Sequence, residues 1–170
     1  GLLDTDEITG GIVFNAGPNA TDVLTITTSD DNVRLNGPVT MRSDLTITTG
    51  KTGAGNIQFT DVATIDSEAG ELNDLLLEAG TGTIAFNANI GTVDSTSGTG
   101  TRLGTFTIIN TTGTVTFGES DTTAKNSETG PVTAINTDGA INLGAGLLDT
   151  DEITGGIVFN AGPNATDVLT

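Results

Sequence analysis

Histidine, cysteine, tryptophan and tyrosine are absent from this sequence of 170 residues. Without histidine or cysteine there is no Ser-His-Asp or Cys-His arrangement and no zinc site of the usual nitrogen and sulfur kind. Disulfides are likewise excluded, as is any side chain that titrates near neutrality at its ordinary value. Bases are scarce: 5 Lys and Arg stand against 22 Asp and Glu, a formal net charge of −17. That balance argues against nucleic acid, whose backbone is gripped through Lys and Arg, and against adsorption to anionic lipid. No apolar run approaches the length of a membrane span or a signal peptide. The chain opens at Gly1, as a piece cut from something longer would.

What is present points to strands and turns. Thr occurs 34 times and Gly 24 times, about a third of the chain. Hydrophobic residues make up 35% and charged residues only 16%, the reverse of the balance in disordered acidic tails. Thr, Ile and Val favour strands, and Gly, Asn and Asp favour turns. The composition is that of an all-β protein.

The sequence repeats at two scales. Residues 146–170 are identical to residues 1–25, an offset of 145. Packing tolerates swaps among Ile, Val and Leu, so identity over 25 residues marks a tandem duplication. Residues 1–145 then form one complete unit, and 146–170 start the next. Within the unit a turn pair followed by [Ile/Val]-x-[Phe/Leu] recurs. Its first apolar residues are Ile12, Val33, Ile57, Ile84, Val115 and Ile141, with Ile157 opening the next unit. Steps of 21, 24, 27, 31, 26 and 16 residues separate them, about 24 on average and six coils per unit. A second strand precedes most of these motifs, carrying Leu24 and Ile26, Leu45 and Ile47, Leu75 and Leu77, Phe106 and Ile108, and Val132 and Ala134. Longer insertions fall in the polar stretches Asp94–Gly100 and Glu119–Gly130.

Alternation places Ile84 and Phe86 on one face of a strand and Thr83, Ala85 and Asn87 on the other. One such strand cannot bury its apolar face alone, whereas stacked coils line up equivalent residues into a continuous core. The expected fold is therefore a parallel β-helix, or β-solenoid, with Phe14, Leu35, Phe59, Phe86, Phe117 and Leu143 as one interior ladder. Asn15, Asn36 and Asn87, with Thr60, are expected to form a partial Asn ladder just beyond it. Six coils at roughly 4.8 Å would advance the axis by about 29 Å per unit. The rival is a string of β-sandwich domains, one per unit, but sandwich strands need not repeat a two-strand phrase in register.

Several phrases carry a family resemblance. The stretch from Asp44-Leu-Thr-Ile-Thr-Thr through Gly55-Asn-Ile-Gln-Phe resembles the filamentous-haemagglutinin-like and autotransporter-type β-helix repeats of giant bacterial surface proteins. So do Leu76-Leu-Glu-Ala-Gly-Thr-Gly-Thr-Ile-Ala-Phe-Asn, Leu103-Gly-Thr-Phe-Thr-Ile-Ile-Asn and Asp31-Asn-Val-Arg-Leu-Asn-Gly-Pro-Val-Thr. The resemblance implies a right-handed β-helix within a long secreted or surface-anchored protein, serving as stalk, adhesin or filament.

Candidate sites are few. Polysaccharide-cleaving β-helices use clustered carboxylates beside a base in a groove. The clusters here are Asp4-Thr5-Asp6-Glu7, Asp30-Asp31, Asp61 with Asp66, and Glu119 with Asp121; the bases are Arg34, Arg42, Lys51, Arg102 and Lys125. Most of these acids sit in turns, where solvated turn chemistry accounts for them. No catalytic, cofactor-binding or metal-binding residue is assigned, and the expectation is no enzyme. Calcium is the better ligand hypothesis, since oxygen donors suit it. Yet Asp4-Thr5-Asp6-Glu7 lacks the order of an EF-hand loop. Asn19-Ala20-Thr21, Asn110-Thr111-Thr112 and Asn164-Ala165-Thr166 match the glycosylation acceptor pattern, which chance produces readily in so Asn- and Thr-rich a chain. The functional expectation is a structural segment of a long extracellular or cell-surface fibre. Its partners are neighbouring units or copies stacked end to end, with surface glycans or proteins as further contacts and adhesin as the alternative role.

Overall fold

The computed structural model describes residues 2–4, 11–17, 21–60, 63–91, 101–117, 134–137, 140–149 and 158–161. In chain order its strands are β1 (Leu2–Asp4), β2 (Ile12–Phe14), β3 (Val23–Thr27), β4 (Asn32–Leu35), β5 (Val39–Met41), β6 (Asp44–Thr48) and β7 (Ile57–Phe59). Then come β8 (Ile65–Ser67), β9 (Leu75–Gly80), β10 (Ile84–Phe86), β11 (Phe106–Phe117), β12 (Ala134–Thr137), β13 (Ile141–Asp149) and β14 (Val158–Ala161). All of their pairings are parallel, and each joins strands from successive coils. The described residues contain no helix. This is a parallel β-solenoid.

Each coil contributes to three faces. On the first, Leu24, Leu45, Leu75, Phe106 and Ile141 lie in register on β3, β6, β9, β11 and β13. On the second, Leu3, Val33, Ile57, Ile84, Val115 and Leu148 lie in register on β1, β4, β7, β10, β11 and β13. On the third, Ile12, Val39, Ile65, Ile90 and Ile135 follow one another, and Phe159 of β14 stands over Ile135. Strand β11 serves two faces, pairing through its first half with β9 and through its second with β10.

The faces exist because of the period-two pattern. In β6, Leu45 and Ile47 are buried while Thr46 and Thr48 are half-exposed. In the first coil, Leu24 and Ile26 of β3, which within the described residues pairs with β6 alone, are only partly buried. Inside, Phe59, Phe86 and Phe117 stack with centroids 5.1 and 5.2 Å apart and planes within 10°. Phe106 meets Phe86 edge-on at 5.5 Å. Coil stacking thus aligns the rings in offset contact as well as burying them.

Left-handed residues and tight glycines make the corner between the first and second faces. Asp30, Gly50, Gly80 and Asn110 have positive φ there, one in each of four successive coils. Gly, Asn and Asp are the types that adopt it most readily. A few residues further on, Gly55, Gly82 and Gly113 stack directly. A Cβ on Gly82 would strike the Gly55 carbonyl oxygen, and one on Gly113 would strike that of Gly82.

Four expectations need correction. First, the second-face register spans Leu3 to Leu148, 145 residues, in five steps of 30, 24, 27, 31 and 33. A unit therefore holds five coils of about 29 residues, not six. Second, only Leu35, Phe59, Phe86 and Phe117 share the expected interior ladder. Phe14 stands opposite Met41 on the third face, and Leu143 opposite Ile108 on the first. Third, Ala134 pairs with Val158 on the third face and does not continue the column of Ile26, Leu77 and Ile108. These three share one cause: all faces use the same alternation, so the local motif does not say which face it builds. Fourth, Thr60 and Asn87 follow the second-face strands as expected, but their side-chain oxygens, Oγ1 and Oδ1, have no hydrogen-bond partner among the described residues. Their backbone N–H groups donate to the carbonyls of Leu35 and Phe59, so the coil-to-coil bonds there run through the main chain.

Candidate functional site: outer columns and open edges

A side-chain ladder does form, at the other end of the strands. The N–H of Asn56 donates to Asn32 Oδ1 at 2.8 Å, and the N–H and hydroxyl of Thr83 donate to Asn56 Oδ1 at 2.8 and 3.1 Å. The first face repeats this with acids. Asp74 N–H donates to Asp44 Oδ1 at 2.8 Å, and Thr105 N–H to Asp74 Oδ1 at 2.7 Å. In each case an Asx oxygen just before a strand's first buried residue caps an N–H one coil further on, satisfying a donor that the backbone ladder leaves over. Sequence inspection missed these columns because Asn32 and Asn56 were read only as turn residues.

The corner leading from the third face into the first holds a buried polar cluster. Asn73 Nδ2 donates to the Met41 carbonyl at 2.8 Å and to Ser67 Oγ at 3.0 Å, and Ser67 Oγ donates to the Glu71 carbonyl at 3.0 Å. Every contact here satisfies a backbone or side-chain group of the corner itself, so the cluster is structural.

The sequence candidates do not converge. Asp30 and Asp31 lie at the first corner; Asp66 faces outward on the third face, where Thr101 Oγ1 donates to its Oδ1 at 2.6 Å. Arg34 is a half-exposed outward residue of the second face, and Lys51 is exposed in a loop. Arg42 pairs with Glu68 at 3.1 Å across neighbouring coils. Thr5, Asp6, Glu7, Asp61, Glu119, Asp121, Lys125 and the stretches Asp94–Gly100 and Glu119–Gly130 lie outside the described residues, as do Asn19, Ala20 and the tripeptide at Asn164. Asn110 uses its amide to donate to Glu78 Oε1 at 2.7 Å, and Thr111 is buried. Among the described residues no group of three or more acids is placed to hold a metal ion.

The outer faces are flat polar ladders. Thr25, Thr46, Leu76, Thr107 and Asn142 follow one another outside the first face, and Arg34, Gln58, Ala85 and Thr116 outside the second. Of the phenylalanines whose burial is described, Phe59, Phe86, Phe106 and Phe117 are buried and Phe14 is partly so. Sugar-stacking platforms of the usual aromatic kind are thus missing from the described surface. What remains unpartnered is backbone: within the described residues β1, β2 and β3 pair on one edge only.

Fold and surface together define a parallel β-solenoid whose described outer columns are largely polar. Comparison with protein-family models, curated proteins and solved structures yields no match.

Proposed function

We propose that this chain is a structural segment of a long extracellular or cell-surface fibre, built from tandem 145-residue units stacked as one continuous solenoid. One observation carries the reading. Leu3 and Leu148 are the same position of the repeated sequence, and they stand on the same face, five coil steps apart. The sequence repeat thus equals a whole number of coils. Units added one after another keep the second-face column in register, with a slip of two residues on the third face, where Phe159 and not Ile157 follows Ile135, and each new coil covers the edge left by the last. A repeat that ended in mid-coil would rotate each unit against the next and break the columns. Charge supports the same use: residues 1–145 carry 18 acids and 5 bases, −13 per unit, which keeps parallel fibres apart.

The test is the axial spacing of an array of several units in electron micrographs or fibre diffraction. Five coils predict about 24 Å per unit and a meridional spacing of about 4.8 Å. Beads about 40 Å or more apart would reject the continuous solenoid in favour of separate domains.

A further inference from the structure

The repeated tripeptide Leu-Leu-Asp occurs twice in the described structure, each time with a different edge paired. As Leu2–Asp4 it lies beneath β4, with Leu3 at the register of the buried Val33. As Leu147–Asp149 it lies on β11, with Leu148 at the register of the buried Val115. On the third face the twins also take two seats, two residues out of column with one another. Val13 and Phe14 pair with Thr40 and Met41 of β5, while their twins Val158 and Phe159 pair with Ala134 and Ile135 of β12. The same strands therefore have both a lower seat and an upper seat within one chain.

We propose that two copies of this chain join by strand exchange: Leu147–Asp149 and Val158–Phe159 of one copy take the places of Leu2–Asp4 and Val13–Phe14 beneath β4 and β5 of a second. The sequences are identical, so the backbone pairings of the displaced strands with β4 and β5 are reproduced. Before exchange, the two copies of the segment are each paired along one edge within the described residues. Afterwards one is paired along both edges and the other is released. The number of coil-to-coil interfaces is unchanged, and the released strands regain the conformational freedom that ordering had removed. That gain offsets the translational entropy lost on association, and swapping of identical elements is a known low-cost route to assembly. The inference rests on the stacked-unit reading and adds that units also join without a covalent link.

Cysteine trapping tests it cleanly, because the chain has no native thiol. In the exchanged junction Asp149 of one copy lies beside Arg34 of the next, in the seat that Asp4 holds otherwise. That spacing of about 4.8 Å suits a disulfide, whose Cα atoms lie about 4.4–6.8 Å apart. Within one chain Arg34 and Asp149 stand four rungs apart through Gln58, Ala85 and Thr116, or about 19 Å, too far to bridge. Oxidised full-length Arg34→Cys/Asp149→Cys is expected to give a ladder of linked chains on a non-reducing gel. Thr40→Cys/Val158→Cys is expected to do the same on another face, which guards against misfolding of the first pair. Asp4→Cys/Arg34→Cys should close within a chain and abolish assembly measured by light scattering. Monomers from both trapping pairs, with the β-sheet circular dichroism of the parent retained, overturn exchange alone and leave the axial-spacing test standing. A locked chain that assembles like its reduced form also overturns it. So does interchain linking by Asp4→Cys/Asp149→Cys, which reports plain end-on docking.

Discussion

The phenylalanine column offers the sharpest test of the core. Phe86 is fully buried, lies between the nearly parallel rings of Phe59 and Phe117 at 5.1 and 5.2 Å, and takes the edge of Phe106 at 5.5 Å. Phe86→Ala removes all of these contacts at once. Its neighbours are held in place by their own backbone ladders, so the hole cannot close by collapse. The expected cost is therefore at the upper end for such truncations, about 4–5 kcal/mol. Phe86→Leu keeps most of the volume, and Leu35 already occupies this column two coils away. That variant should lose about 1–2 kcal/mol. Phe14→Ala, partly buried in the first coil, should cost no more than about 1–2 kcal/mol. Urea unfolding followed by far-ultraviolet circular dichroism measures all three. Stability in a stacked array is a sum of neighbour interfaces, and Phe86→Ala weakens both interfaces of β10. It should also broaden the transition or split it in two. If Phe86→Ala costs no more than Phe14→Ala and the transition stays single, the ring column is not what couples the coils.

Gly82→Ala should destabilise by more than about 2 kcal/mol, because its Cβ meets the carbonyl oxygens of Gly55 and Ala79. Gly70→Ala, with φ of 87° but nothing within 4 Å, should cost only about 1 kcal/mol of backbone strain; thermal melts rank the two. Asn56→Ala uncaps Thr83 and should lose about 1 kcal/mol, while Asn56→Asp keeps the accepting oxygen and should lose less than half of that in the same melts. Arg42→Ala should change stability by less than about 1 kcal/mol in urea titrations, since the Arg42 and Glu68 side chains are 48% and 38% exposed. Addition of EDTA should leave the melting temperature unmoved, because the stacked carboxylates of Asp44 and Asp74 are engaged by backbone N–H groups. A drop of several degrees would reveal a structural cation.

Much of this architecture can be read directly from residues. The alternation in Asp44-Leu-Thr-Ile-Thr and Ile84-Ala-Phe identifies both strands and, in β6, the residues it buries, whereas in β10 Ala85 is buried together with Ile84 and Phe86. The column Leu24, Leu45, Leu75, Phe106 follows from spacing alone, including the three residues by which the loop after Leu45 is longer. The third face was harder to see. Its strands β5 and β8 are three residues each, and the coil holding Ile90 has only two isolated bridges there, so no phrase recurs. The Asx columns were hidden for a related reason. Asn56 has a turn role within its own coil and a capping role toward the next, and only the second depends on what lies above it.

The sequence by itself determined that the chain is all-β, that its strands bury alternate residues, and that a 145-residue phrase begins again at Gly146. Those properties are local or a matter of identity, so no tertiary contact is needed to find them. Which face each strand builds, and that five coils fill the unit, were decided only by the three-dimensional stacking. A period-two strand looks the same on any face, and loops of unequal length blur the spacing between coils. Hydrogen bonds between strands 21 to 35 residues apart on the first and second faces settle both questions, because a slip of one residue would turn every buried side chain outward.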